Sequence, residues 1–199
     1  MNFKETAKKV WNFVWYEDSF LSLLANIVIA FILIKYMVYP GLGLVFGTSL
    51  PLVAVVSSSM HHEGNFEQWW MNAQSQYEPR GITESQFMQF PLINGFDKGD
   101  IMLIYGATTE NLKIGDIVIF DSNRPNPIIH RVIKMYEENG KVYYQTKGDN
   151  YQTNPDSIKS SSLDETKVPI EKIQGKALFR LPFLGYVKIL AVEFVSLFQ

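Results

Sequence analysis

The sequence predicts a mainly β protein: an N-terminal transmembrane helix, then a small antiparallel β-barrel or sandwich carrying a helical insert. Three observations carry this. Residues 19–34 hold no charge, short β-rich runs separated by turn residues follow from residue 52, and residues 61–95 interrupt them with helical character.

The run SFLSLLANIVIAFILI is followed by Lys35 and then YMVY up to Pro40. With the Lys35 ammonium snorkelling outward, the apolar stretch extends over residues 20–39. Twenty residues make about 30 Å of helix, the thickness of a bilayer core. Trp11, Trp15 and Tyr16 on one side, with Tyr36 and Tyr39 on the other, form interfacial belts. Pro40-Gly41 is expected to end the helix. A core helix would show a polar face, and a cleavable signal would be shorter and followed by a small-x-small site. Residues 1–18 hold Lys4, Lys8 and Lys9 against Glu5, Glu17 and Asp18. With the α-amino group the flank is slightly positive, which places it in the cytoplasm and the remainder outside the cell membrane. Residues 19–39 are thus the anchor and residues 40–182 an extracytoplasmic domain.

That domain reads as strands. LVAVVSSS (52–59), IMLIY (101–105), IVIF (117–120), IIHRVIKMY (128–136), KVYYQTK (141–147) and GKALFRL (175–181) are the candidates. Asn139-Gly140 between two of them is a hairpin signal. Gly99-Asp100 and Gly115-Asp116 introduce two strands in the same way.

Within the insert, residues 66–77 predict a helix closed by Glu78-Pro79, and Thr83 with Gln86 is a capping box for a second over 84–90. Its aromatics suit either a lid packed on the β domain or a surface dipping into the membrane interface. Residues 183–199 are apolar apart from Lys188, Glu193 and Ser196, and read as an interfacial or core-packed helix, with a second membrane span as the alternative.

Composition narrows the function. A net charge of −2 argues against nucleic acid as partner. The absence of cysteine excludes disulfides, thiolate metal sites and a cysteine nucleophile.

Polar islands sit at the ends of apolar strands: Ser57-Ser58-Ser59-Met60, His130-Arg131, and Gly148-Asp149-Asn150 with Asp156 behind. A serine needs a neighbouring base to act as a nucleophile, and histidine suits that work near neutral pH. A carboxylate on the far ring nitrogen fixes the tautomer. These are the parts of a Ser-His-Asp device, although a serine run alone is an ordinary strand end and Gly-Asp-Asn is ordinary turn chemistry. His61, His62 and Glu63 are a rival constellation for a metal. Neighbouring side chains diverge on a strand, so no metal or other cofactor is expected. Lys147 is the rival base and needs a strongly depressed pKa for that role.

SSSM after an apolar strand behind a transmembrane helix, then GDIVIF, IIHRVIK and TKGDN with a later aspartate, resembles the type I signal peptidases. The order is that of the branch found in archaea and in the endoplasmic-reticulum complex, and it covers the chain from the anchor to about residue 187. The resemblance implies a membrane-bound serine protease that removes signal peptides from exported preproteins. It implies Ser59 as nucleophile, His130 as general base, and Ser57 with the Ser59 N–H as oxyanion donors. Asp149 matches an acidic residue that supports activity. Asp156 is the favoured triad acid, with Asp149 the alternative. Ser58 stands where the family usually has glycine, which puts the local backbone in question. A competing reading is a membrane-tethered β domain that binds peptides without cleaving them.

Overall fold

The structure, a computed structural model, describes residues 3–186. Contacts divide the chain into residues 1–45 and 46–199.

In the first unit, helix α1 (Phe3–Tyr16) turns into α2 (Phe20–Leu33). Ser19 caps α2 by accepting from the Ser22 N–H. Ser22 Oγ and Asn26 Nδ2 donate to the carbonyls of Phe13 and Val14, which satisfies the last turn of α1. Helix α1 was not foreseen: its apolar positions are interrupted by Lys4, Lys8 and Lys9.

The helix does not stop at Pro40. A π-helical turn over Ile34–Val38 leads into α3 (Tyr39–Phe46), making a continuous helix of 27 residues, Phe20–Phe46. The physical reason is the widened turn. Pro40 has no N–H to give, and a π turn just ahead of it shifts the ladder that Pro40 breaks. The helix is long and apolar enough to cross a membrane, and only 6 % of its most apolar window is buried, unlike a core helix.

The second unit is built on one seven-stranded antiparallel sheet. Its strands are β1 (Leu52–Ala54), β2 (Ile101–Tyr105), β3 (Ile117–Phe120), β4 (Ile128–Glu138), β5 (Lys141–Lys147), β6 (Val168–Pro169) and β7 (Ile173–Leu181). Their order is β1-β2-β7-β3-β4-β5-β6. β3 lies inside the sheet and is buried along its whole length, which is why IVIF shows no alternation. Ile117 and Ile119 join Val55, Met60, Met102 and Ile104 in one core, while Val118 and Phe120 join Val132, Tyr144 and Val168 in another. β4 and β5 form the expected hairpin, with Asn139 and Gly140 both at positive φ (53° and 72°). This is the conformation that Asn-Gly supplies at least cost. The Gly-Asp pairs also behave alike. Gly99 and Gly115 share φ 96°, and Asp100 and Asp116 each accept from the N–H three residues earlier.

The insert packs as a lid. Helix α4 (Phe66–Tyr77) has a complete capping box at Asn65 and Gln68, and α5 (Glu84–Phe87) has one at Thr83 and Gln86. Phe66, Trp69, Trp70, Tyr77 and Phe87 are buried together with Ile133 of β4. The interfacial helix expected over 183–199 lies almost wholly outside the described residues.

Candidate active site

Ser57, Ser58 and Ser59 lie in the bend and turn that come after β1, with the His61 N–H closing on the Ser58 carbonyl at 3.1 Å. Ser58 is not among the described residues with positive φ, so this turn does not demand glycine. Met60 then anchors the segment, 1 % exposed in the core.

The serine segment is held by the Gly148-Asp149-Asn150 loop. The Asn150 N–H donates to the Ser59 carbonyl at 2.9 Å and Asn150 Nδ2 to the Ser58 carbonyl at 3.0 Å. A Cβ at Gly148 would sit 2.7 Å from the Ser59 oxygen, so this approach requires a residue without a side chain. Gly148 follows Lys147, the register partner of Arg131. One further antiparallel step carries it toward His130, which brings the serine segment to the same end of β4.

His130 is 4 % exposed and pairs in register with Val118. Its Nδ1 donates to Glu165 Oε1 at 2.5 Å. Glu165 is fully buried and fixed from several sides. Thr146 Oγ1 reaches Oε1 at 2.9 Å and the Ile158 N–H reaches Oε2 at 2.9 Å. The Glu165 carbonyl accepts from the Thr146 N–H, and its own N–H donates to the Ile158 carbonyl. With Nδ1 as donor, the neutral ring keeps its lone pair on Nε2. Ser59 Oγ bonds to Ser57 Oγ at 3.2 Å and, among the described residues, not to His130.

Neither expected acid faces His130. The Asp156 carboxylate is 65 % exposed and ion-pairs with Arg80 of the insert at 2.5 Å. The carboxylate that meets His130 is that of Glu165, which comes from the connection between β5 and β6. The pointer missed in the sequence was Thr146, whose strand alternation puts it opposite to Lys147 and so on the face that Glu165 covers.

Asp149 is fully buried and faces the insert. Arg131 binds it through Nε at 3.1 and 3.0 Å and through Nη2 at 2.6 Å. Tyr77 Oη donates to Oδ1 at 2.8 Å, and His62 Nε2 meets Oδ2 at 3.1 Å. Burial alone would raise its pKa, but Arg131 and His62 outweigh that and hold it well below the usual carboxylate range. His62 stacks on Trp69 with ring centres 3.7 Å apart, and burial lowers its pKa against the pull of Asp149. Its Nδ1 is buried with no hydrogen-bond partner among the described residues, so Nε2 carries the hydrogen. Lys147, also fully buried, donates to the Gly148 carbonyl at 2.7 Å and lies 4.8 Å from the Tyr77 ring centre. Burial depresses its pKa to about 8. Its register with Arg131 puts it on the insert side of the sheet, away from Glu165. His61 pairs with Asp97 instead of joining His62, and no group of metal-ligating side chains occurs among the described residues.

No family model matches the chain. It is 30 % identical over 167 residues to the signal peptidase complex catalytic subunit SEC11 of Komagataella phaffii, covering 79 % of this chain and 76 % of that protein. The SEC11 subunit of Yarrowia lipolytica is 27 % identical over 163 residues, covering 80 % of this chain and 73 % of the relative. Human SEC11C is 28 % identical over 162 residues, with 79 % and 66 % covered. On these matches the chain belongs to the family of signal peptidase catalytic subunits, and it is an enzyme.

Proposed function

We propose that this chain is a membrane-anchored serine endopeptidase that removes N-terminal signal peptides from exported preproteins, with Ser59, His130 and Glu165 as its catalytic triad. The observation that carries the reading is the buried Glu165–His130 pair. A carboxylate on Nδ1 leaves Nε2 as the base and stabilises the imidazolium once a proton is taken.

Ser59 Oγ turns from Ser57 to His130 Nε2 as substrate arrives, a tightening common in sites seen without substrate. It attacks the carbonyl at the end of the signal peptide while His130 takes its proton. The oxyanion is met by the Ser59 N–H and the Ser57 hydroxyl. His130 then protonates the leaving amine, the new N-terminus of the exported protein. Water, deprotonated by the same base, releases the acyl group from Ser59. Substrate in extended form adds to the sheet by main-chain hydrogen bonds.

The helix Phe20–Phe46 supports a membrane anchor, and Lys4, Lys8 and Lys9 support a cytoplasmic N-terminus with the β domain on the other side of the cell membrane. Confinement to that plane raises the effective concentration of a membrane-inserted substrate.

The test is cleavage of a membrane-inserted preprotein by the full chain in detergent or liposomes. Ser59→Ala and His130→Ala should each lose activity by about 10⁴-fold or more. Full activity in both variants would overturn the protease reading and leave a peptide-binding domain.

A further inference from the structure

The aromatic insert makes a set of contacts that packing alone does not account for. Its polar side chains converge on one short loop, residues 148–156, which is also the loop that holds the serine segment. Trp69 Nε1 donates to the Asp149 carbonyl at 3.1 Å, Tyr77 Oη to Asp149 Oδ1, and His62 Nε2 to Oδ2. Further along, Gln76 Nε2 reaches the Tyr151 carbonyl at 3.0 Å, and Arg80 pairs with Asp156.

Two routes lead from Asp149 to the chemistry. The first runs through its neighbour. Asn150 binds the carbonyls of Ser58 and Ser59, and Asp149 N–H points at Met60 Sδ at 3.4 Å. The second runs through Arg131, the residue after His130. Arg131 holds Asp149 with Nε and Nη2, the carbonyls of Pro91 and Gly115 with Nη1, and the Leu92 carbonyl with Nη2 as well. Pro91 and Leu92 belong to the end of the insert. The nucleophile's backbone and the base's strand are therefore both tied to one carboxylate, and that carboxylate is fixed by the insert.

We propose that the insert is a built-in positioning device for the Ser59–His130 site, with His62, Trp69 and Tyr77 as positioning residues that act through Asp149. This rests on the protease reading above. None of the three bonds to Ser59, His130 or Glu165 among the described residues, so their influence is on placement. Displacement of a reacting group by about 1 Å can cost about a hundredfold in rate.

Tyr77→Phe removes one hydroxyl and leaves the aromatic packing in place. It should lower kcat by tenfold to a hundredfold, on the order that misplacement costs, with KM changed by about twofold or less. Hydrogen exchange at the Asn150 amide should quicken, because its bond to the Ser59 carbonyl is loosened. His62→Ala should behave like Tyr77→Phe, whereas His62→Gln, which restores a donor toward Asp149, should recover most of the rate. Met71→Ala, on the exposed side of α4, should match the parent. Each variant is assayed in the full chain well below its own melting temperature. If Ser59→Ala is inactive and Tyr77→Phe folds with unchanged kcat and unchanged Asn150 exchange, the positioning proposal is wrong and the protease reading stands. If Tyr77→Phe does not fold, the His62→Ala and His62→Gln pair decides: equal activity in both overturns the proposal. Activity retained in Ser59→Ala overturns the protease reading itself.

Discussion

Glu165 binds the Nδ1 of His130 across 35 residues of sequence, buried and held by Thr146 and the Ile158 N–H. Glu165→Gln keeps the shape but offers no negative charge to an imidazolium. Its kcat should fall by about 10²–10⁴-fold. Asp156→Asn should cleave at the parent rate and lose at most about 1 kcal/mol, since the Arg80 pair is exposed on one side. The reverse ranking in a preprotein cleavage assay would return the acid role to Asp156.

Ser57 Oγ lies 3.2 Å from Ser59 Oγ. Replacing Ser57 with alanine should reduce kcat by about a hundredfold or more with little change in KM, the loss expected for one oxyanion donor. A pure rise in KM would instead mark Ser57 as a substrate-binding residue.

Asp149 is a counter-charge to buried Arg131. Asp149→Asn leaves that guanidinium short of an anion and should destabilise the β domain by about 3–5 kcal/mol. Thermal melts across pH give a second reading. The pKa of Asp149 is lowered on folding, so its contribution is present above the unfolded carboxylate value and fades as pH falls toward the folded one. His62, also lowered, adds a loss that begins as pH drops through about 6.5, because the unfolded ring binds the proton first. His62→Gln should remove the second of these losses and keep the first.

Lys147 titrates at about 8 in the fold, against an ordinary value of 10.5. Between those values the unfolded chain holds more protons, so stability from this group rises with pH from about 8 to about 10.5. Lys147→Met should be more stable than the parent at pH 7, with the difference shrinking as pH rises past 8. Parallel melting curves from pH 7 to 10 would contradict a buried, pKa-shifted amine here.

What the sequence made legible was what depends on local pattern. IMLIY, IVIF and the hairpin around Asn139-Gly140 announce their strands, and Thr83 with Gln86 announces a cap. β6, two residues long, has no pattern to read. The helix beyond Pro40 was missed because a π turn depends on five-residue spacing of hydrogen bonds, which composition does not register. Ser59 and His130 stand in motifs that the sequence displays, one in the turn after β1 and one within β4. Glu165 stands in an irregular segment, and only the fold of residues 148–167 back across β5 gives it a partner. Asp156 follows Gly-Asp-Asn in the order the resemblance implies, and its carboxylate pairs with Arg80 of the insert.

His130 and Arg131 are neighbours whose side chains leave β4 in opposite directions, one toward Glu165 and one toward Asp149. A slip of this strand by a single residue would exchange them, sending a permanent cation to Glu165 and an imidazole to the anchor of the lid. A misregistered chain would thus be chemically silent as well as poorly packed. On the proposed mechanism, cleavage of a preprotein is in that sense a reporter of strand alignment: any population that cleaves has already threaded β4 in register.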